Sequence, residues 1–267
     1  MTPLDLVKLP QLMKLTSGRA EIAVAMIDGP IAVAHADLAR SSIREVTGDA
    51  RAQCALTSSA ACVHGTFVAG ILNAKRGSAA PAICPDCTLL VNPVFSEAAS
   101  ASEPPSATPE ELASAILECL EAGARVVNLS LAVTRSSSKG ERALKLALDD
   151  AARRGAVIVA AAGNQGEVGG TIITSHPWVI SVAGCDLKGK PVDHSNLGRS
   201  IGRNGLRVPG EQVMSLPQAN VRRTARVFGE HQITCRGQFL TRSERLSARM
   251  LENGIRGGTC SNIFRQE

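Results

Sequence analysis

The sequence predicts an α/β fold, a doubly wound and mainly parallel sheet with helices on both faces. Short, almost wholly apolar runs alternate with segments of helical periodicity up to residue 184. Strands that are apolar throughout are typical of parallel sheets covered on both sides. The 267 residues are 44% hydrophobic but only 2% aromatic, so small and aliphatic side chains must fill the core.

Apolar runs bounded by polar or glycine-containing segments are predicted to be buried strands. They cover residues 21–28, 88–94, 125–131, 156–162 and 178–184. Helices are predicted at residues 64–74, 108–122 and 140–154, an amphipathic lead-in at 9–17, and polar loops at 39–59 and 96–108. Thr108, Pro109 and Glu111 form a capping sequence for the second helix, and Gly123 ends it.

Polar side chains follow two of these predicted strands, at the edge where parallel sheets gather functional groups. Asp28 ends the first strand, and Asn164 comes just after the fourth. His64 directly precedes Gly-Thr and a run of small and apolar residues at the predicted start of a helix. Each residue alone has a structural explanation, such as a turn or a helix start. Together they supply a histidine base, a carboxylate to orient it and an amide donor for an oxyanion.

The motifs around these residues resemble those of the subtilisin-like serine proteases. The matching segments are residues 27–29, 35–38, 64–70, 127–131, 161–164 and 208–211. Their order and spacing hold from residue 9 to residue 216. Within the family, the chain is most similar to the protease domains that process cyanobactin-type peptide precursors, on residues 9–12, 28–30 and 81–85.

The resemblance implies a role for each matched residue. Asp28 would orient the base, His64 would be the base, and Asn164 would bind the oxyanion. The residues expected to line the peptide groove are Ser130, Leu131, Ala132, Ala162 and Gly163. His35 matches a position that is usually structural. The expected partner is a peptide or protein substrate, which would pair with a strand edge, and no cofactor or metal ion is expected, calcium included.

The serine that the family uses as its nucleophile is not recognisable. Family members place it in a Gly-Thr-Ser segment after the Pro-Gly matched here by residues 209–210, which predicts a position near residue 230. Residues 227–232 contain no serine. The other residues considered were Ser215, which matches a strand position, and Cys235, Ser243 and Ser247, which no Gly-Thr precedes. Cys260 and Ser261 follow a Gly-Thr, but the small-residue helix expected after the nucleophile is missing there.

The composition changes after residue 217. From there the chain has nine arginines, no lysine and four glutamates, and the apolar periodicity fades. Basic segments bind nucleic acids, but this one lacks stacking aromatics and any recognisable module, so no nucleic-acid partner is predicted. The sequence predicts an incomplete subtilisin-like domain at residues 1–217, disrupted at its C-terminal end. An Arg-rich tail at 218–267, disordered or derived from a shifted reading frame, would follow it.

The eight cysteines are expected to be reduced thiols. The N-terminus lacks the pattern of a signal peptide, and no apolar run reaches the roughly 18 residues of a membrane span. These features predict a cytoplasmic protein without a membrane partner. Cys84 and Cys87 have C-x-x-C spacing without a second pair, so loop thiols or a local disulfide are expected rather than a metal site. Cys62 is expected to be a small buried residue.

The predicted function is that of a subtilisin-like serine endopeptidase, with peptide-precursor processing as its specific form. Because the nucleophile segment is missing, the activity is expected to be impaired or absent. A non-catalytic peptide-binding pseudoprotease and a gene remnant without function are the alternatives. The sequence predicts no oligomeric state.

Overall fold

The structure, a computed structural model, describes residues 2–38, 42–46, 52–97, 107–133, 138–210, 213–216, 225–226 and 234–235. Its helices are α1 (Pro3–Leu6), α2 (Leu9–Leu15), α3 (Ala60–Asn73), α4 (Pro109–Glu121), α5 (Ser138–Arg153) and α6 (Arg199–Asn204). Its first strands are β1 (Ala23–Asp28), β2 (Ile43–Glu45), β3 (Thr88–Pro93), β4 (Val126–Leu129), β5 (Ala132–Val133) and β6 (Val157–Ala161). The later strands are β7 (Val179–Cys185), β8 (Leu206–Pro209), β9 (Met214–Ser215), β10 (Ala225–Arg226) and β11 (Thr234–Cys235).

Seven of these strands form one sheet in the order β2-β3-β1-β4-β6-β7-β8. Every neighbouring pair in it is parallel. Two small pairings lie outside it: β9 runs antiparallel to β10, and β5 runs parallel to β11. The predicted parallel sheet is confirmed, and its parallel order places the carboxyl ends of β1, β4 and β6 side by side.

Helices cover both faces of the sheet, as the sequence predicts. On one face, α4 and α5 pack against a core that includes Ile27, Val127 and Ile158, all fully buried. On the other face, α3 contributes Ala69 to a cluster with Met26 of β1. Neighbouring residues of β1 therefore point to opposite faces and are buried on both, which explains why this strand is apolar along its length.

The ends of the helices follow local signals in most places. Thr108 caps α4: its hydroxyl accepts a hydrogen bond from Glu111 N, and the Glu111 carboxylate accepts one from Thr108 N. Gly123 follows the helix with φ +90°. Helix α3, by contrast, begins at Ala60 rather than at residue 64, because Ser59 caps it and accepts from Cys62 N. His64 consequently lies in the second turn of α3 and not at its first residue.

One predicted loop contains a short strand, and another lies largely outside the described residues. Strand β2 lies inside the loop predicted at residues 39–59 and pairs with β3. It is only three residues long and half-buried, which is too short for a periodic pattern. Of the loop predicted at 96–108, residues 98–106 lie outside the described residues, as does most of the tail predicted at 218–267.

The expectation that all the cysteines are reduced is wrong. Cys54 and Cys62 form a disulfide, with their Cα atoms 5.6 Å apart. Residues 52–54 pair with Ile31, which brings Cys54 beside the first turn of α3. Cys62 is buried as expected, but it is bonded and not a free thiol. Cys84 and Cys87 are free thiols.

None of the helices in the described part of the chain has the length and apolar character needed to cross a membrane.

Candidate active site

Asp28 and His64 form a hydrogen-bonded pair at the carboxyl end of β1. The distance between Asp28 Oδ1 and His64 Nδ1 is 2.7 Å. Asp28 is fully buried, whereas 21% of the His64 side chain is exposed. Because a carboxylate only accepts hydrogen bonds, Nδ1 donates to it and Nε2 is the nitrogen left to act as a base. The arrangement presents a base at the surface and its orienting group beneath it.

Two glycines allow α3 to approach the turn after β1 closely enough for this contact. A Cβ atom on Gly29 would lie 2.1 Å from Ala61 O of α3. One on Gly65 would lie 2.3 Å from Pro30 O. Since both obstacles are backbone atoms, no side-chain rotation would relieve them. Gly29, which follows Asp28, and Gly65, which follows His64, are therefore needed for α3 to pack against this turn.

The charge of Asp28 makes His64 a stronger base. Burial of the imidazole disfavours its charged form, but the charge of Asp28 and the hydrogen bond to it outweigh this effect, so the pKa of His64 is raised above 6.5. Asp28 Oδ1 also accepts from Gly29 N at 2.7 Å. Asp28 Oδ2 is buried and has no hydrogen-bond partner among the described residues. Among the described residues, the imidazole of His64 is the side chain that forms an ion pair with this carboxylate when it is protonated.

Asn164 lies on an exposed part of the loop after β6, directly after the buried Ala162 and after Gly163, whose φ is +105°. A residue that the sequence did not single out, Asn196, holds this loop. Asn196 N donates to Gly163 O at 2.8 Å. Its side-chain Oδ1 accepts from Gln165 N at 3.0 Å, and its Nδ2 donates to Gln165 Oε1 at 2.7 Å.

These contacts bracket Asn164 on both sides, and Asn196 is itself 91% buried, with an exposed fraction of 9%. Asn196 Oδ1 also accepts from Glu167 N at 2.9 Å. The only local signal for this role is an asparagine in a Ser-Asn-Leu-Gly turn, and its partners lie 29 to 33 residues earlier in the sequence. No local pattern indicates that these residues pair.

The remaining predicted groove residues follow β4, the strand between β1 and β6. Ile27 pairs with Leu129, and Leu129 pairs with Ala160, so the residues after all three strands lie at one edge of the sheet. Ser130 is half-buried, and its hydroxyl accepts from Asn128 Nδ2 at 2.7 Å. Leu131 is buried. Ala132 belongs to β5 and pairs with Thr234 of β11, so part of the edge predicted for a peptide is paired with the chain itself.

Of the nucleophile candidates, the structure describes the side chain of Ser215 alone. Ser215 is fully buried, and its hydroxyl donates to Phe67 O of α3 at 2.6 Å. It holds β9 against α3 and is not presented to solvent. The backbone of Cys235 lies in β11. The side chain of Cys235 and the whole of Ser243, Ser247, Cys260 and Ser261 lie outside the described residues.

The surroundings of His35 and of the C-x-x-C cysteines fit structural roles. His35 Nδ1 accepts from Asp37 N at 3.1 Å within a local turn. Burial, together with the neighbouring Cys87, raises the pKa of Cys84 to about 12. A thiol with such a pKa is protonated at neutral pH and is a poor nucleophile, which argues against a reactive dithiol at this C-x-x-C.

Comparisons with known proteins show which family the chain resembles. A family model described as the subtilase family, Peptidase S8, matches residues 19–239. Subtilisin DY of Bacillus licheniformis is 29% identical over 206 residues, covering 75% of this chain and 69% of that protein. The match to the family model extends past residue 217, and the division of the chain at that residue stays a prediction.

Two solved structures are similar over most of the chain. A mutant of the protease domain of PatA is 28% identical, with a TM-score of 0.68, covering 79% of this chain and 74% of that one. The prenylagaramide maturation protease PagA is 27% identical, with a TM-score of 0.67, covering 79% and 70%. The predicted resemblance to cyanobactin maturation proteases is thereby confirmed.

Proposed function

Since this chain belongs to the subtilase family, we propose that the edge formed after β1, β4 and β6 is a serine-endopeptidase site whose hydrolytic activity is impaired. In this proposal Asp28 orients His64, His64 is the general base, and Asn164 donates to the oxyanion. The impairment follows from residues 227–232, which contain no serine where the family's Gly-Thr-Ser is expected.

The 2.7 Å contact between Asp28 Oδ1 and His64 Nδ1 carries the proposal. A base of this kind removes the proton of an attacking hydroxyl at Nε2, and the buried carboxylate stabilises the imidazolium that results. The amide of Asn164 would then donate to the oxygen of the tetrahedral intermediate. The exposed position of Asn164 and the fixed loop around it suit that role.

The expected loss of activity is large. In subtilisin itself, a member of this family, removal of the serine lowers kcat by about 10⁶ while a residual rate above water remains. That residue is the one not recognisable in this chain. We therefore expect turnover close to background, with the base and the oxyanion donor still in place.

An extended peptide is the substrate that this edge suits best. Strand pairing would supply main-chain hydrogen bonds at residues 130–131, and residues 162–163 would form the facing wall. Of the two similar solved structures, one is the protease domain of PatA and the other is a prenylagaramide maturation protease. We propose on this basis that a precursor peptide is the substrate class.

A second candidate function is peptide binding without hydrolysis. It is favoured because the groove residues 130–131 and 162–163 do not depend on a nucleophile, and the pairing of Ala132 with Thr234 leaves them available to a peptide. In this version the subtilase domain proposed at residues 1–217 binds the peptide, and the Arg-rich segment proposed at 218–267 supplies no nucleophile.

Covalent labelling separates these possibilities. The protein is treated in parallel with a fluorophosphonate probe, which labels activated serines, and with a cysteine alkylator. We expect no His64-dependent labelling by either reagent, with His64→Ala as the control. Labelling of the wild type that disappears in His64→Ala would instead establish a working nucleophile and overturn the proposed impairment.

A folded, unlabelled protein is then tested for binding of an extended peptide. Binding that Ser130→Pro removes, because proline deletes a backbone donor at the edge, would favour the peptide-binding function. Aggregated protein without a cooperative unfolding transition would favour a gene remnant and contradict both functions.

A further inference from the structure

The Cys54–Cys62 disulfide lies between the two segments that position the catalytic pair, namely the turn after Asp28 and the start of α3, which carries His64. Cys62 is two residues before His64 in α3, and its bond to Cys54 fastens this turn to the preceding loop. The same loop is fastened to the segment after Asp28: Cys54 N donates to Ile31 O at 3.0 Å, and Ile31 N donates to Ala52 O at 2.7 Å. The covalent bond and these two backbone hydrogen bonds together link the segment after Asp28 to the helix that carries His64.

Glu97 holds this loop independently of the disulfide. Its Oε2 accepts from Ala55 N at 2.7 Å, and its Oε1 accepts from Leu56 N and from the Ser59 hydroxyl, both at 3.0 Å. Ser59 in turn caps α3. Because these hydrogen bonds do not involve sulfur, the loop stays attached when the disulfide opens. Opening the bond should then leave α3 folded and capped, but it removes the direct attachment of Cys62 to Cys54, so the turn that carries His64 can shift relative to Asp28.

We propose that Cys54–Cys62 is a redox latch for the Asp28–His64 pair. With the bond closed, the loop holds α3 against the turn after β1, and Asp28 keeps the imidazole basic. With the bond reduced, the link relaxes and His64 becomes a weaker base. The inference rests on the proposed function only in taking His64 as the base, since the latch itself is defined by the pair's geometry.

The reductant is a dithiol, and the exchange proceeds through a mixed disulfide. A thiolate of the reductant attacks Cys54 Sγ, since Cys54 is 9% exposed and Cys62 only 1%. The Cys54–Cys62 bond breaks, and Cys62 leaves as a thiolate in the first turn of α3, where helix N-termini stabilise thiolates. The reductant's second thiol then displaces Cys54, and each sulfur takes a proton. The protein gains two electrons and two protons, and the reductant becomes a disulfide.

The test compares the pKa of His64 in the oxidised and reduced protein by NMR. Reduction uses a dithiol with a chelator present, because the sulfurs and a Glu97 carboxylate oxygen lie within 4.8 Å of one another and could capture a metal ion once the thiols are free. The His64 signal is assigned by its loss in His64→Gln. We expect the pKa to fall on reduction, and the double variant Cys54→Ser/Cys62→Ser to show the lowered value with or without reductant. The matched control, Cys84→Ser/Cys87→Ser, should respond to reductant as the wild type does.

Three results would overturn the latch. The first is an unchanged pKa of His64 on reduction, and the second is a response to reductant that survives in Cys54→Ser/Cys62→Ser. The third is global unfolding on reduction, seen by circular dichroism, which would make the bond a stabilising crosslink only. None of these readouts depends on hydrolysis or on probe labelling, so a failure of the proposed function and a failure of the latch remain distinguishable.

Discussion

Gly29→Ala is expected to destabilise the domain by about 3 kcal/mol and to separate His64 from Asp28. The added Cβ would lie 2.1 Å from Ala61 O and 2.7 Å from the carbonyl carbon of the same residue. Both are backbone atoms of α3, so the helix must move as a body away from the turn. Overpacked sites that adjust through side chains cost about 1–3 kcal/mol, and this site lacks that adjustment.

Urea unfolding of the variant and the wild type measures this effect. Gly202→Ala in α6 is the matched control, because its Cβ would meet nothing within 4 Å. Alanine is favoured over glycine inside helices, so we expect the control to be neutral or to gain up to about 1 kcal/mol. If Gly29→Ala unfolds with the wild-type midpoint, α3 does not rest on this turn and the packing account is wrong.

Asp28→Asn is expected to destabilise the protein by about 2 kcal/mol at acidic pH, and by less as the pH rises. The folded-state pKa of His64 is raised above the ordinary value of 6.5. The stabilisation from the protonated pair is therefore complete below 6.5 and is lost as the pH rises through the raised pKa. Asparagine still accepts a hydrogen bond from a neutral imidazole, so the difference between wild type and variant narrows at alkaline pH.

Urea unfolding of both proteins between about pH 5 and pH 9 checks this dependence. Asp149→Asn is a suitable control, since Asp149 also contacts a histidine, His176, at 3.0 Å but is one-third exposed. We expect this control to change the stability little at any pH, because ion pairs of exposed carboxylates contribute little. A difference for Asp28→Asn that stays constant or widens as the pH rises would contradict the charge coupling.

The sheet was predictable because its strands carry their own signal. Strand β1 is buried along its whole length, so it appears in the sequence as an unbroken apolar run that ends at Asp28. The start of α4 was also predictable from a local signal, because Thr108 and Glu111 each accept a hydrogen bond from the other's backbone N–H. The start of α3 was not predictable in this way, because Ser59 precedes a run of small residues that has little helical periodicity.

Contacts between distant segments account for what the sequence did not show. The Cys54–Cys62 bond depends on the pairing of residues 52–54 with Ile31, which no local pattern indicates. The role of Asn196 depends likewise on a loop that precedes it by about 30 residues. Asp28 and His64 were found because each lies in its own motif, although 36 residues separate them.

The pKa of His64 in the oxidised wild-type protein tests most directly whether this chain contains a carboxylate-supported base. Its imidazole signal is followed by NMR from about pH 4 to pH 9, with Asp28→Asn measured alongside. The structure predicts a wild-type pKa above 6.5 and a lower value in the variant. A wild-type pKa at or below 6.5, or one that Asp28→Asn leaves unchanged, would contradict the account.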